Sequence, residues 1–144
     1  MSTLEERFAR ALHSTTRVWR LALDRRLKDL GLSQAGWMTI AIVAKAEAPL
    51  SQIELAQRVG VEGSTMVAMV DRLVKSGLLE RQPSPSDRRV RFVVLTEPGN
   101  QTYARVKAEA DAFRMEVMAG VDADALRVAA ELLEHIEQVV SAAV

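Results

Sequence analysis

The stretch LSQIELAQRVGVEGSTMVAMVDRLVKSG, residues 50–77, decides the fold. Ser51 and Glu54 stand at the spacing of a capping box, in which each side chain can satisfy the other's backbone amide, so a helix starts there. It carries Leu55, Ala56 and Val59 and stops at Gly60, a residue that tolerates the left-handed backbone of a helix end. A second helix begins between Glu62 and Ser64 and runs to about Ser76, ahead of Gly77. Two short helices joined by a tight glycine turn make a helix-turn-helix. In the second helix Met66, Met69, Val70 and Leu73 recur at i, i+3, i+4 and i+7 and should point inward. The opposite side then carries Gly63, Ser64, Thr65, Ala68 and Arg72, most of them at the N-terminal end. A recognition helix enters the major groove with that end, where side chains reach base edges and free amides favour phosphate. Gly63 and Ala68 offer no hydrogen bond, although Ala68 can touch a thymine methyl. Taken alone, a surface helix with small residues is the better reading. Its place between a capped helix and a basic hairpin favours a reader of DNA.

That hairpin comes at once in LLERQPSPSDRRVRFVVLT, residues 78–96. Leu78–Gln82 and Val90–Leu95 are strand-like, and Pro83-Ser84-Pro85-Ser86-Asp87 between them cannot continue a helix and forms the tip. A β-hairpin directly after a helix-turn-helix is a wing. Between Arg81 and Arg91 it holds four arginines, Arg81, Arg88, Arg89 and Arg91, against Asp87 alone. On strand period, Arg89 and Arg91 share one face and Arg88 takes the other. Arginine suits the concentrated negative potential of a narrow minor groove, with little base specificity. Asp87 cannot aid phosphate binding directly, but it can hold the Arg89 guanidinium in a fixed fork. A solvated basic loop would show the same charges.

Working outward, Leu4, Phe8, Ala11, Leu12, Val18, Trp19, Ala22, Leu23, Leu27 and Leu30 mark one amphipathic helix from Thr3 to about Leu30, ended by Gly31. Ser33 caps a helix running to about Ala46, before Pro49. Thr96 caps a long helix with Pro98 in its first turn and a stripe of Tyr103, Val106, Ala110, Phe113 and Val117. Gly120 breaks it and Asp122 caps the last helix. There Leu126, Leu133 and Val140 stand seven apart, a narrow seam of the kind used in helix pairing.

Net charge is zero, with 19 basic and 19 acidic groups, yet its distribution is uneven. Residues 1–50 hold 8 basic and 5 acidic groups, residues 51–96 hold 7 and 5, and residues 97–144 hold 4 and 9. Such asymmetry suits one face toward a polyanion and another toward water or a ligand. The absence of cysteine excludes disulfides, thiolate metal sites and a thiol redox switch. His13 and His135 lie at opposite chain ends and offer no zinc constellation, and no cofactor is implied. No apolar run approaches the ~18 residues that span a bilayer, and the start lacks a signal-peptide core, so no membrane association and a cytoplasmic location are expected.

The run from Asp87 to Thr96 resembles the wing signature of the MarR family, Asp-x-Arg followed by a strand ending Leu-Thr. Arg17-Val18-Trp19-Arg20, Leu32-Ser33-Gln34 with Trp37, Gln52-Ile53-Glu54-Leu55-Ala56 and Val70-Asp71-Arg72-Leu73 with Gly77-Leu78 look like its SlyA branch. The resemblance implies a mainly α fold with a small β-wing. Residues 33–96 would form the winged helix-turn-helix, and residues 1–32 and 97–144 an intertwined helical dimerisation region. A homodimer would then bind a palindromic operator in double-stranded DNA, with half-sites about one helical turn, ~34 Å, apart. Ser51 and Gln52, the outward residues of the recognition helix, Arg81 and the wing residues Asp87, Arg88, Arg89 and Arg91 are the expected DNA-binding set. Members of this branch often carry arginine where this chain has Ala68. The resemblance also implies a small aromatic or phenolic carboxylate effector near His13, Arg17, Trp37 and Met38. Arg17 can pair with the carboxylate and Trp37 can stack on the ring. Equally, a tryptophan at helical spacing is often core, Arg17 can salt-bridge a second subunit, and His13 reads as solvent-facing.

An enzyme lacks residues to carry it, since no nucleophile–base spacing, Gly-rich phosphate loop or carboxylate cluster is present. A helical dimer that keeps the wing but binds a protein, and a dimeric small-molecule carrier, are the remaining rivals. The first need not show the steep salt response of phosphate contacts, and the second would bind ligand but no DNA at any salt.

Overall fold

The computed structural model describes residues 1–144. They pack as two units, residues 1–111 and residues 112–144. The first contains α1 (Leu4–Arg26), α2 (Gln34–Lys45), β1 (Leu50–Ser51), α3 (Gln52–Val59), α4 (Gly63–Lys75), β2 (Leu79–Pro83) and β3 (Arg91–Leu95). Helix α5 (Glu97–Met118) runs from the first unit into the second, which holds α6 (Ala123–Ala143). The fold is thus mostly helical with one small antiparallel sheet. No helix is long and apolar enough to cross a membrane.

Local chemistry sets most boundaries. Ser51 Oγ accepts from the Glu54 amide while Glu54 Oε1 accepts from the Ser51 amide, completing the capping box of α3. Gly60 (φ 83°) closes that helix in the left-handed region, and its amide and that of Val61 both donate to the Ala56 carbonyl. Ser33 caps α2 through the Gly36 amide, and Asp122 caps α6 through the Ala125 amide. Thr96 accepts from the Gly99 amide, as expected of a cap, and its hydroxyl also donates to the Gly77 carbonyl. That second bond ties the start of α5 to the turn after α4. Gly99 is required there, because a Cβ at this position would lie 2.0 Å from the Leu78 carbonyl oxygen.

Two expectations need correction. The first helix does not run to Leu30: α1 ends at Arg26, and Lys28–Leu30 form a 3-10 turn closed by Gly31. Apolar spacing does not separate the two, since Leu27 stays buried through the tightened turn. Asp29, within that turn, pairs with Arg105 of α5, whose hydrogen bond holds the Asp29 carboxyl below its ordinary pKa. The second correction is the sheet, which has three strands in the order β1-β3-β2. Leu50 pairs with Val93 and Ser51 with Phe92, while Leu79 to Pro83 pair with Leu95 to Arg91. A two-residue strand has no period to detect, and its partner lies more than 40 positions away.

The core of the first unit joins Ile40 of α2, Leu55 of α3, Met66, Val70 and Leu73 of α4, Leu79 of β2 and Val93 of β3. Met66, Met69, Val70 and Leu73 are all buried, so α4 turns its apolar stripe inward as its spacing requires.

Candidate nucleic-acid interface

With that stripe buried, Gly63, Ser64, Thr65, Ala68 and Arg72 are exposed on the other side of α4. Glu62 precedes the helix without accepting any hydrogen bond from it through its side chain. The amides of the first turn therefore have no side-chain acceptor and are available to an anion. A hollow of about 540 Å³ opens beside this turn, lined by Ile53 and Gln57 of α3 and by Gly63 and Thr65 of α4.

The wing is fastened to this surface by Arg81. Its Nε donates to Gln52 Oε1 of α3 at 2.8 Å, and its Nη2 donates to Asp71 Oδ1 of α4 at 2.5 Å. One guanidinium thus bridges β2, the first helix of the motif and the recognition helix. The pairing also neutralises Asp71, an exposed acid that would otherwise repel phosphate. Arg81 and Gln52, expected to contact DNA, are placed against each other. Ser51 is similarly occupied, its hydroxyl exchanging hydrogen bonds with Glu54. All three side chains are thus engaged by partners within the chain.

At the wing tip Ser84 is buried, and its Oγ accepts from the amides of Ser86 and Asp87. The Ser84 amide donates to the Val90 carbonyl, closing the loop. Arg88 and Arg89 therefore lie in the turn, and β3 starts only at Arg91. Strand alternation does not govern Arg89, contrary to expectation. The loop's own hydrogen bonds do, yet Arg89 and Arg91 still line one hollow of about 310 Å³, together with Ser51 and Ile53.

Asp87 takes the role expected of it. Its Oδ1 accepts from the Arg89 amide at 3.0 Å and from Arg89 Nε at 3.2 Å, while Oδ2 accepts from Nη2 at 3.4 Å. These bonds, the side-chain one foremost, hold the Asp87 carboxyl below its ordinary pKa. The Arg89 side chain remains 90% exposed, a forked cation presented to solvent. Arg88 and Arg91 are exposed as well.

The effector candidates divide. His13 and Arg17 are exposed on α1 and line a concavity of about 530 Å³ with Arg20 and Gln34. Trp37 and Met38 are not brought to it. Trp37 is only 6% exposed and its Nε1 donates to Asp24 Oδ1 at 2.9 Å, so it serves as core with a satisfied indole and has little ring face open for stacking. Met38 is half-buried. Sequence reasoning missed Arg20, although i, i+3 spacing from Arg17 on a helix puts them on one face. It also missed Ile53 and Asp71. The signal for Asp71 was an acid on the outward side of a helix meant to meet phosphate.

A capped helix, a glycine turn, an exposed second helix and an arginine-tipped hairpin over one core define a winged helix-turn-helix DNA-binding protein. Residues 32–90 match the model of the MarR family. The transcriptional regulator PA3341 is 37% identical, with 93% of this chain and 98% of that one covered at a TM-score of 0.88. At 20% identity, MarR from Staphylococcus aureus in complex with salicylate and kanamycin aligns over 95% of this chain and 92% of its own, with a TM-score of 0.83. A mutant MarR from E. coli complexed with operator DNA is 24% identical over 94% of this chain and 99% of its own, with a TM-score of 0.76. The chain belongs to the MarR family of transcriptional regulators.

Proposed function

We propose that the chain binds an inverted-repeat operator as a homodimer. Residues 33–96 form the reading lobe, and residues 1–32 with 97–144 form the dimerisation region. The outward face of α4 enters the major groove and Arg89 enters the adjacent minor groove. The observation that carries this is the Asp87–Arg89 fork: an exposed guanidinium already oriented at the tip of a wing that Arg81 fastens to α4. Pre-orientation lowers the entropy lost on binding. The relative bound to operator DNA has the same fold. We further assign the chain to the SlyA-like branch on its Arg17–Arg20, Leu32–Gln34 and Gln52–Ala56 segments. Occupancy of a promoter in the cytoplasm would then repress transcription by occlusion.

Selection of bound duplexes from a random pool tests the reading directly. It should return a palindrome with half-site centres ~34 Å apart. Binding should weaken ~10³–10⁵-fold between 50 and 200 mM salt if ~6–10 phosphates are neutralised. A salt-insensitive interaction would favour a protein-binding module instead.

For control we propose a small aromatic carboxylate held at His13, Arg17, Arg20 and Gln34. The support is two guanidinium groups around one open concavity, together with the salicylate complex of the Staphylococcus aureus relative. A ligand seated there acts by changing the separation of the two recognition helices, which costs the second half-site its effective concentration. Trp37 and Met38 would take part only after repacking around Asp24. Operator affinity that is unchanged by salicylate and its congeners would count against ligand control.

A further inference from the structure

Ile53 stands on the face that the proposed function turns toward DNA, and its assignment to a base contact rests on that reading. It is the second residue of α3 and is 72% exposed, whereas Leu55, Ala56 and Val59 of the same helix fill the core. It lines both hollows of the face, the one beside Gly63 and Thr65 and the one beside Arg89 and Arg91. A large β-branched side chain here adds nothing to the closed core, and its apolar surface stays in water until a partner covers it.

The neighbouring side chains say what that partner is. Over its first two turns α4 exposes Gly63, Ser64, Thr65, Val67 and Ala68. None of them can form the bidentate pairs by which Arg or Lys selects guanine and Asn or Gln selects adenine. Gln52, which could, has its carbonyl oxygen engaged by Arg81, and Gln57 of α3 is the one side-chain amide that lines the hollow with Ile53 and Thr65. The first turns of α4 and Ile53 together present short hydroxyls and methyl groups. In the major groove the C5 methyl of thymine is the apolar group that such a surface matches. We infer that Ile53, which shares the hollow beside α4 with Thr65, reads a thymine methyl in each half-site. Base choice at that step is then made by apolar contact instead of by hydrogen bonds.

Deoxyuridine removes that methyl and leaves every hydrogen-bonding group in place, so it isolates the contact. Each thymine of a duplex taken from the random-pool selection is replaced singly by deoxyuridine, and binding of the full chain and of Ile53→Ala is measured. Ile53 is exposed, so the variant should fold, which its thermal unfolding checks. At one thymine per half-site the wild type should lose about fourfold, the transfer value of one methyl-sized group, and about 15-fold when both half-sites are altered. Ile53→Ala should bind the parent duplex more weakly and be indifferent to the same replacement, so the two losses fail to add. If no replacement weakens the wild type, or if Ile53→Ala and deoxyuridine losses add at every thymine, the inference is overturned; uniform weakening by Ile53→Ala would mean a sugar contact. Failure to select any duplex would overturn the DNA-binding reading and this inference with it.

Discussion

Residues 50–96 and residues 123–143 treat their apolar side chains in opposite ways. In the first stretch the alternation resolves within the chain: Leu50, Leu55, Met66, Val70, Leu73, Leu79 and Val93 are buried together, and the polar side chains of Arg81, Gln52 and Asp71 satisfy one another. In the second no residue is buried, and Leu126, Leu133 and Val140 are 38%, 41% and 55% exposed although they stand in one row. A region that closes on itself specifies a shape. A helix that leaves a seam open specifies an association, because a row of leucine and valine at heptad spacing is stable only when covered. The contrast is what the proposed function rests on when it gives reading to the first region and dimerisation to the second.

The largest effect should come from breaking the open seam. Leu126→Glu with Leu133→Glu puts charge into any helix pairing there while touching no buried side chain of the monomer. We expect a monomer by sedimentation, near-normal helicity by circular dichroism, and operator affinity reduced ~10²–10⁴-fold as the second half-site loses its effective concentration. A variant that stayed dimeric would move the interface elsewhere and erase the contrast.

Within the closed region, effects are smaller and of two kinds. Arg89→Ala removes a charged contact, worth ~1.5–3 kcal/mol, and should lower the salt slope by about one. Minor-groove contact carries little sequence information, so the selected operator should be unchanged. Tight binding by this variant at physiological salt would remove the wing from the interface. Gly99→Ala acts on stability: its methyl would meet the Leu78 carbonyl, and the start of α5 must shift at a cost of ~1–3 kcal/mol in chemical denaturation. An unchanged midpoint would show that the Thr96–Gly77 junction yields easily.

Legibility in the sequence tracks the range of the interactions. Ser51, Gly60, Thr96 and Asp122 mark helix ends through bonds to residues within four positions, and the Met66–Leu73 stripe is a local period. These were readable. The β1 pairing, the Arg81 clasp and the burial of Trp37 depend on partners 41 to 43, 29 and 13 positions away in the chain and have no local signature. The wing tip was half legible. The Asp87–Arg89 fork spans two residues and could be anticipated, but the face of Arg89 is set by the buried Ser84 hydroxyl, which interrupts strand period. Arg81 was recognisable as a cation of the wing, whereas its use as a clasp needed Asp71 and Gln52 in place.

Ala68→Arg sharpens the division from the other side. The position is exposed on α4 and makes no core contact, so stability should hardly change. An arginine there can pair with guanine O6 and N7, adding ~1–3 kcal/mol of discrimination at one base. Repeating the duplex selection with the variant should return guanine at a position where the wild type accepts other bases. An identical selected sequence would mean that Ala68 lies outside the groove.

The smallest effect expected is with pH, and its smallness is informative. The Asp87 carboxyl is held below its ordinary value because its ionised form accepts from the Arg89 side chain and amide. A carboxylate depressed in this way contributes fully at any pH above the ordinary value and is lost only as pH falls through the lowered one. From about pH 6 to 8 the fork is therefore complete, and this pair should leave operator affinity level across that window. Following the Asp87 carboxyl by NMR in acid checks the cause: in wild type it should titrate below an ordinary aspartate, and in Arg89→Ala it should move up toward one. If the two titrate alike, the carboxylate is not held by Arg89, and the tip is a bare charge whose contribution to binding should then vanish with added salt.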